Sequence, residues 1–155
     1  MNIVTLKGKE KMVKELKRLT NVERPIVIKA IEEARAHGDL SENAEYAAAK
    51  ERQSFIEGRI AELSSKISSV QVIDPSTIKD DKVVFGATVT VENSDTNEKI
   101  MYQIVGEDEA DVSAGSISIM SPIARALIGK KQGDVVAVRT PKGETEYEIL
   151  KIDYV

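Results

Sequence analysis

The first half of the chain has apolar residues at the spacing of amphipathic helices. Met12, Leu16 and Leu19 are separated by four and three residues. A second run alternates steps of four and three in the same way and consists of Ile56, Ile60, Leu63, Ile67 and Val70. Such spacing places side chains on one helical face, and the strict alternation is typical of a coiled-coil seam. We therefore expect two long helices that pack against each other.

Two stop signals divide this helical region. Pro25 lacks an N–H group and its ring clashes with the preceding turn, so the first helix should break or kink around residues 21–24. It should restart with Pro25 in its first turn and carry a new apolar stripe at Ile26, Ala30, Ile31 and Ala34. Gly38 is a favoured helix stop, and Asp39 is a favoured N-cap for the next helix. So short a connection forces the helices to run antiparallel, and about 30 helical residues reach about 45 Å.

Beyond residue 76 the apolar period changes from that of a helix to that of a strand. Residues alternate over 87–91 and over 101–105, and the turn-forming run 93–97 should join these strands as a hairpin. Three further runs predict strands, at 116–119, 135–138 and 147–152. The pattern indicates a small antiparallel sheet.

One short helix should interrupt these strands, with Ser121 as its N-cap, Pro122 in its first turn and Gly129 as its stop. The predicted fold class is α+β. Residues 1–76 form a long antiparallel α-helical coiled coil, and residues 77–155 form the small sheet domain with its one helix.

Composition narrows the chemistry that the chain can perform alone. The 155 residues include no Cys and one His, which excludes a disulfide scaffold, a thiol nucleophile and a metal site rich in Cys or His. Aromatic residues make up 4%, too few for an extended stacking surface for single-stranded nucleic acid. No apolar run approaches the roughly 20 residues of a membrane span, and the start lacks a signal-peptide layout. We expect a cytoplasmic protein without a membrane partner.

The formal net charge of −4 is unevenly distributed. Residues 1–76 carry a net charge of +1 and residues 77–155 a net charge of −5. The difference supports a division into two domains.

The predicted tip of the hairpin, residues 38–46, carries the strongest candidate chemistry. If the helix starts at Asp39, then Asp39, Glu42, Asn43 and Tyr46 share one outward face. The opposite face, which would pack on the first helix, consists of Leu40, Ala44, Ala47 and Ala48. Two carboxylates one turn apart can share a hard divalent cation. The same pair fits a capping box, in which negative charge stabilises the helix N-terminus, and the spacing is compatible with both interpretations.

Other candidates have ordinary structural explanations beside a functional one. His37 is either a proton carrier or a favourable charge at a helix C-terminus. Arg52 and Arg59 share a helical face, which is either a phosphate contact or a solvated face with ion pairs. The acidic run 106–111 lacks the ligand spacing of a calcium loop, so a solvated loop is expected there rather than a metal site.

Four segments of the sequence resemble the bacterial transcript-cleavage (Gre) factor family. Residues 37–46, which read HGDLSENAEY, resemble the tip signature of that family. Residues 121–130, which read SPIARALIGK, resemble its second signature, and residues 85–89 and 104–110 add to the likeness. The resemblance extends over essentially the whole chain and implies, besides the coiled coil, a C-terminal domain of FKBP-like fold.

The resemblance implies an accessory transcription elongation factor rather than an enzyme. Such factors bind RNA polymerase at the rim of its secondary channel and insert the coiled coil, so that the tip reaches the active centre of a backtracked complex. Asp39 and Glu42 match the acids that help to hold a second Mg²⁺, shared with the polymerase, and the attacking water. The polymerase's own active site then hydrolyses the nascent RNA near its 3′ end. The implied partners are the polymerase and this RNA end, with at most a weak DNA contact, and the factor is expected to be a monomer.

Further residues match supporting positions of the family. Asn43, Tyr46 and Ser41 would support the tip, although family members often carry a basic residue where Ser41 stands. The expected RNA contacts are Arg35, Lys50 and Arg52. The expected polymerase-binding residues are Ser121, Pro122, Ile123, Ala124, Arg125 and Gly129.

Two other functions remain open at this stage. A polymerase regulator could occupy the channel without promoting cleavage, although the presence of both tip acids favours cleavage. An FKBP-like domain also suggests a prolyl isomerase or chaperone. That activity needs an aromatic-lined pocket, and the only aromatic residues of the C-terminal half are Phe85, Tyr102, Tyr147 and Tyr154.

Overall fold

The computed structural model describes residues 3–38 and 43–155, which divide into two units. One unit is helical and extends from Lys9 to Val70. The other contains the residues up to Gly8 together with Gln71–Val155 and includes the sheet. The predicted α+β class is confirmed.

Two helical segments account for the first unit. The first segment comprises α1 (Leu6–Arg18), a π-helical turn (Leu19–Glu23) and α2 (Arg24–Arg35). The second segment is α3 (Ala44–Ser69). Residue 15 meets residue 59 and residue 34 meets residue 43, so positions advance in opposite directions along the two segments, which run antiparallel as expected.

Pro25 does not break the first helical segment. It lies in the first turn of α2, as predicted, but the backbone stays helical through the π-helical turn before it. There the backbone N–H of Arg24 donates to the carbonyl oxygen of Leu19, five residues earlier. The wider turn accommodates a proline that has no N–H to donate. Of the break or kink predicted around residues 21–24, the break is therefore wrong, and the irregularity found there is a π-helical turn.

The π-helical turn shifts the apolar seam by one residue. Leu19 is followed in the buried cluster by Val27, eight residues later, whereas an uninterrupted heptad would place the next equivalent position at Ile26. Val27 is 3% exposed, and Ile26 is 60% exposed. A π-helical turn holds one extra residue, so every later position of the segment changes its face. The prediction that Ile26 belongs to the packed stripe is wrong for this reason.

The remaining seam agrees with the spacing. The buried cluster and the half-buried side chains packed on it are Leu19, Val27, Ile56 and Leu63 with Met12, Leu16, Ile60 and Ile67. Ion pairs flank this seam. Arg24 donates to both carboxylate oxygens of Glu57, at 2.8 and 2.7 Å, and Arg59 donates to both of Glu15, at 2.9 Å. The hydrogen bonds from Arg24 lower the pKa of Glu57 below its ordinary value.

The start of the chain belongs to the sheet-containing unit. β1 (Ile3–Thr5) pairs in parallel with β2 (Gln71–Ile73), with Val4 opposite Val72. The sequence prediction contains neither strand and assigns residues 1–76 to the coiled coil. Strands of three residues have too few positions to display a period of two. Their pairing is the reason that the first residues group with the second half of the chain.

The acidic loop 106–111 holds this N-terminal segment in place. The carboxylate of Glu109 accepts hydrogen bonds from the backbone N–H and hydroxyl of Thr5, at 2.7 and 2.6 Å, and from the N–H of Gly106 at 2.9 Å. The Thr5 hydroxyl oxygen also accepts from the N–H of Gly8 at 3.1 Å, which caps the first turn of α1. The solvated-loop prediction is therefore wrong for Glu109, whose carboxylate satisfies internal donors.

A five-stranded sheet forms the body of the second unit. Its strands are β3 (Thr88–Asn93), β4 (Lys99–Val105), β5 (Ser116–Ser118), β6 (Val135–Thr140) and β7 (Gly143–Asp153). Their order across the sheet is β5-β4-β3-β7-β6. The predicted hairpin, β3–β4, is confirmed, and β6 and β7 form a second antiparallel pair.

One edge of the sheet departs from the prediction. β5 runs parallel to β4, with Ile117 opposite Ile104, so the sheet is not purely antiparallel. Between these strands the chain passes through a 3₁₀ turn (Val112–Ala114) and Gly115, whose φ is +84°. This crossover returns the chain to the start of β4, so β5 runs in the same direction. A second 3₁₀ turn (Pro75–Thr77) follows β2.

α4 (Pro122–Leu127) packs on the sheet. Its Ala124 and Leu127 are fully buried, in a core that also contains Val83, Ala87, Val89, Val91, Ile104, Ile117, Val136, Val138 and Ile149. In the two described stretches, 3–38 and 43–155, no helix is both long and apolar enough to cross a membrane.

Candidate functional site

In the sequence, the two acids of the predicted tip come between Arg35, the last residue of α2, and Ala44, the first residue of α3. Asp39, Ser41 and Glu42 lie outside the described residues. The residues on both sides of them, up to Gly38 and from Asn43 onward, are described. Gly38 has φ +105°, a left-handed conformation that favours glycine, and its N–H donates to the carbonyl oxygen of Arg35 at 3.2 Å. The predicted helix stop at Gly38 is confirmed.

Asn43, not Asp39, is the N-cap of α3. Its backbone is extended, and its Oδ1 accepts a hydrogen bond from the backbone N–H of Tyr46 at 3.0 Å. The prediction that the helix starts at Asp39 is therefore wrong, because Ala44 is the first helical residue. The capping-box interpretation of the two acids loses its structural basis, since another side chain occupies the cap.

The same Asn43 side chain also reaches the other helix. Its Nδ2 donates to the carbonyl oxygen of Ala34 at 2.7 Å. This oxygen lies in the last turn of α2, where helix carbonyls lack intrahelical partners. The amide thus forms a hydrogen bond with one end of each helix and joins them.

The later start of α3 also changes which face of the helix is packed. The predicted packing face is exposed at Ala44, Ala47 and Ala48, whereas Tyr46 and Ala49 are half-buried. The prediction that Tyr46 points outward is wrong. The heptad seam extends backward from Ile56 by steps of three and four through Gln53, Ala49 and Tyr46. Continuing the seam in this way would have found the inward position of Tyr46 in the sequence.

His37 makes a contact across the hairpin. Its Nδ1 lies 3.2 Å from a carboxylate oxygen of Glu45, and the two side chains are 62% and 71% exposed. An exposed contact of this kind stabilises a fold little. Glu45 would be the partner of His37 if the imidazole were protonated. The contact does not distinguish a proton carrier from a favourable charge at the helix C-terminus.

The basic residues predicted to contact RNA differ in their surroundings. Arg35 is exposed and has no ion pair within the described part of the chain, and the Lys50 ammonium donates to the Gln53 amide at 3.2 Å. Arg52 lies 3.6 Å from a carboxylate oxygen of Glu23, and its guanidinium lies 5.4 Å from the centre of the Phe55 ring.

Phe55 is a residue that the sequence prediction missed. It is 62% exposed, and it is the one exposed aromatic side chain, since all six aromatic residues fall in the described stretches. Its position next to the seam residue Ile56 and three residues after Arg52 was the available signal. Arg59, by contrast, is bound to Glu15 and Glu62, as its ion-pair interpretation required.

The second predicted site, residues 121–130, combines buried and exposed positions. The Ser121 hydroxyl caps α4 by accepting from the N–H of Ala124 at 3.3 Å, as predicted. Ala124 is fully buried, whereas Pro122 and Arg125 are exposed. Ser121 and Ala124 therefore shape this segment from within, and a partner can reach the exposed residues.

Comparisons with known proteins match both halves of the chain. The family model described as "Transcription elongation factor, N-terminal" matches residues 2–72, and that described as "Transcription elongation factor, GreA/GreB, C-term" matches residues 78–154. The Transcription elongation factor GreA of Alkalilimnicola ehrlichii is 57% identical over 152 residues, which cover 97% of this chain and 96% of that protein. The chain belongs to the GreA/GreB family.

Other relatives agree with this GreA/GreB membership. The Transcription elongation factor GreA of Phenylobacterium zucineum is 59% identical over 152 residues, covering 98% of this chain and 97% of that protein. Both of these relatives are named GreA, so within the family the chain is more similar to GreA. The GreA factor homolog 1 (Gfh1) of Thermus thermophilus has a solved structure, with 28% identity, 97% coverage of both chains and a TM-score of 0.43. With a TM-score this low, the assignment rests on the sequence matches.

Proposed function

We propose that this GreA/GreB family member binds RNA polymerase and stimulates the polymerase to cleave its own transcript near the 3′ end in backtracked or arrested complexes. The observation that carries the proposal is the position of Asp39 and Glu42 in the connection of a helical hairpin, within a segment that resembles the family's tip signature. Membership of an elongation-factor family supports it. In this role the chain is an accessory factor in the cytoplasm, and the hydrolysis belongs to the polymerase.

The composition of the tip supports a shared metal ion. Asp39 and Glu42 would bind Mg²⁺ through carboxylate oxygens, the ligand type that this ion prefers. Mg²⁺ requires about six oxygen ligands in octahedral geometry, so two side chains are too few to hold it alone. Within residues 3–38 and 43–155, no group of three or more acidic or His side chains could hold a metal. Mg²⁺ would supply charge stabilisation at the scissile phosphodiester, and the polymerase would supply the remaining ligands.

The chain's own residues have two further tasks in this proposal. Arg35 and Lys50 would contact the phosphates of the extruded RNA, which is supported by their exposure and by the absence of a carboxylate partner among the described residues. The Arg52 guanidinium already contacts Glu23 and Phe55, so it would attract the RNA phosphates less strongly. Exposed residues of the segment 121–130 would bind the polymerase.

A cleavage assay tests the proposal directly. Purified polymerase is stalled and backtracked on a template, its RNA is labelled, and the chain is added with Mg²⁺. We expect shortened RNA with the wild-type chain and none above background with Asp39→Ala or Glu42→Ala. Glu51→Ala is the matched control, because Glu51 is an exposed carboxylate of α3 outside the tip, and it should cleave like the wild type.

The outcomes separate the competing functions. Binding without shortened RNA would contradict the proposal and favour a channel-occupying regulator. Clear turnover in a proline-peptide isomerisation assay would favour the isomerase. Binding itself is tested in the full-length chain with Pro122→Ala and Arg125→Glu, which should compete less well for polymerase while keeping the helix content of the wild type.

A further inference from the structure

The segment 121–130, whose exposed residues would bind the polymerase, contains a helix that is too short to be stable alone. α4 has six residues, and isolated helices of fewer than about 12 residues are marginal in water. Contacts with the rest of the chain must therefore determine where the segment lies. At its start, the backbone N–H of Ser121 donates to the carbonyl oxygen of Ser118, the last residue of β5, at 2.9 Å.

The other end of the segment is held by one buried residue. The N–H of Val83 donates to the carbonyl oxygen of Lys130, and the carbonyl oxygen of Val83 accepts from the N–H of Gly129, both at 2.8 Å. Val83 is fully buried, in the same core as Ala124 and Leu127 of α4. The position of residues 82–84 therefore determines where the end of the segment lies.

Residues 82–84 have hydrogen-bonding groups on two opposite sides. In an extended backbone, the N–H and carbonyl of one residue point to one side, and the preceding carbonyl and the following N–H point to the other. Val83 uses the first side for Gly129 and Lys130. The second side presents the carbonyl oxygen of Lys82 and the N–H of Val84, so a partner there must both donate and accept.

The Tyr154 hydroxyl bonds to both groups on this second side. It accepts from the N–H of Val84 at 3.0 Å and donates to the carbonyl oxygen of Lys82. One hydroxyl can do both because it carries a proton and two lone pairs. Tyr154 directly follows β7, and the pairing of Asp153 with Thr88 of β3 fixes the point from which its side chain extends. Residues 82–84 are thus held between Tyr154 and the end of the segment 121–130.

We propose that Tyr154 is a positioning residue for the polymerase-binding segment 121–130, whose end at Gly129 and Lys130 it holds in place through the backbone of residues 82–84. This inference rests on the proposed function, in which exposed residues of that segment bind RNA polymerase. Tyr154 itself does not touch the polymerase in this role.

Removing the hydroxyl should displace the segment without unfolding the domain. Tyr154→Phe keeps the ring that packs on the core and leaves the Lys82 carbonyl and the Val84 N–H without this partner. Two neutral hydrogen bonds are enough to shift a local equilibrium by about 5- to 150-fold toward arrangements that lack them. A binding surface that is correctly arranged for only part of the time loses apparent affinity in proportion, so we expect the affinity for polymerase to fall about 3- to 10-fold.

The test measures binding and cleavage with the full-length chain. Affinity for polymerase is obtained by competition with labelled wild-type chain, at a temperature at which circular dichroism shows every variant to be folded. For Tyr154→Phe, the concentration that gives half-maximal cleavage should rise by the same factor, and the maximal cleavage rate should equal that of the wild type because the tip residues are unchanged. Amide hydrogen exchange at Val83 and Gly129 should become faster.

Two control variants separate positioning from other effects of the substitution. Tyr102→Phe removes the hydroxyl of another half-buried tyrosine on the same core, at a position of β4 that pairs with Val89, and should keep wild-type affinity. Val91→Ala destabilises the same domain from a fully buried position of β3. A domain that is still folded binds equally well whatever its margin of stability, so Val91→Ala should also keep wild-type affinity.

Two results would overturn the proposal. Wild-type affinity in Tyr154→Phe would show that the segment keeps its position without the hydroxyl. Equal losses of affinity in Tyr154→Phe and Val91→Ala would show that Tyr154 acts only through the stability of the domain.

Failure of this proposal is distinguishable from failure of the proposed function. If the wild-type chain stimulates cleavage and Asp39→Ala does not, the function holds whatever Tyr154→Phe does. If Pro122→Ala and Arg125→Glu bind polymerase like the wild type, the segment is not the binding surface and the positioning role is wrong. If the wild-type chain neither binds polymerase nor gives cleavage, the proposed function is wrong and the positioning role falls with it.

Discussion

Two glycines in helices should respond to alanine with opposite signs. Gly8 and Gly58 both have helical surroundings, α1 and α3, where Ala is intrinsically better than Gly by about 1 kcal/mol. At Gly58 nothing lies within 4 Å of the added Cβ, so Gly58→Ala should raise the free energy of unfolding by about 0.5–1 kcal/mol. At Gly8 the added Cβ would lie 2.0 Å from Oε2 of Glu109 and 2.6 Å from its Cδ.

The destabilisation expected from Gly8→Ala follows from the hydrogen bonds that Glu109 would lose. A carbon atom cannot remain 2.0 Å from an oxygen, so the carboxylate has to move away from the donors of Thr5 and Gly106. Each hydrogen bond to a charged group contributes about 1.5–3 kcal/mol, and Thr5 is buried, so its donors find no water in exchange. Losing one or two of these bonds costs about 1.5–6 kcal/mol, and regaining about 1 kcal/mol from the helical preference of Ala leaves a net destabilisation of about 0.5–5 kcal/mol.

Urea unfolding followed by circular dichroism measures both variants, and amide hydrogen exchange at Thr5 and Gly106 reports the local loss. A double-mutant cycle supplies the control. In a Glu109→Ala background, Gly8→Ala should cost little, because the atom it displaces is absent. Stabilisation by Gly8→Ala similar to that by Gly58→Ala would refute the argument. So would an equal cost of Gly8→Ala in both backgrounds.

Three further changes test other contacts. Arg24 lowers the pKa of Glu57 below its ordinary value of 4.5, so this pair stabilises the folded helices fully above about pH 4.5 and less as the pH falls through the lowered pKa. Glu57→Gln should therefore flatten the acid side of a plot of melting temperature against pH. An unchanged slope would contradict the role given to this pair. Because Val27 is buried and Ile26 is exposed, Val27→Ala should lower the free energy of unfolding by about 2 kcal/mol and Ile26→Ala should hardly change it. The reverse order in urea titrations would show that the seam does not shift. The Tyr154 hydroxyl donates to the carbonyl oxygen of Lys82 and accepts from the N–H of Val84 at 3.0 Å. Tyr154→Phe should therefore lower the free energy of unfolding by about 1–3 kcal/mol in the same assay. An unchanged free energy of unfolding would mean that water replaces the hydroxyl.

The regular elements of this fold could be predicted because the residue patterns that specify them are local and repeat along the chain. The steps of three and four from Ile56 to Ile67 specify a helical seam whatever its partner is, and alternation over the residues of β3 and β4 specifies a hairpin. Ser121, Pro122 and Gly129 mark both ends of α4 because caps and stops act within one turn. The two family signatures were also visible as linear motifs.

Two of the predictions that failed depended on contacts between distant residues. β1 consists of three residues, and its partner lies beyond the whole coiled coil, so no local period announces it. Glu109 appeared as one acid among several in a loop, and only the approach of Thr5, 104 positions earlier, gives its carboxylate a role.

At the tip, the sequence by itself determined which chemistry is present, namely two acids, a Gly stop and an Asn inside a recognisable motif. Tertiary structure decided how the helices around those acids are arranged. The π-helical turn moves Val27 rather than Ile26 into the seam. Asn43 is the cap of α3, and its amide also donates to a carbonyl of the other helix. Both features depend on how the two helices pack against each other, because most of the stability of a helix in a protein comes from such packing and little from its own sequence.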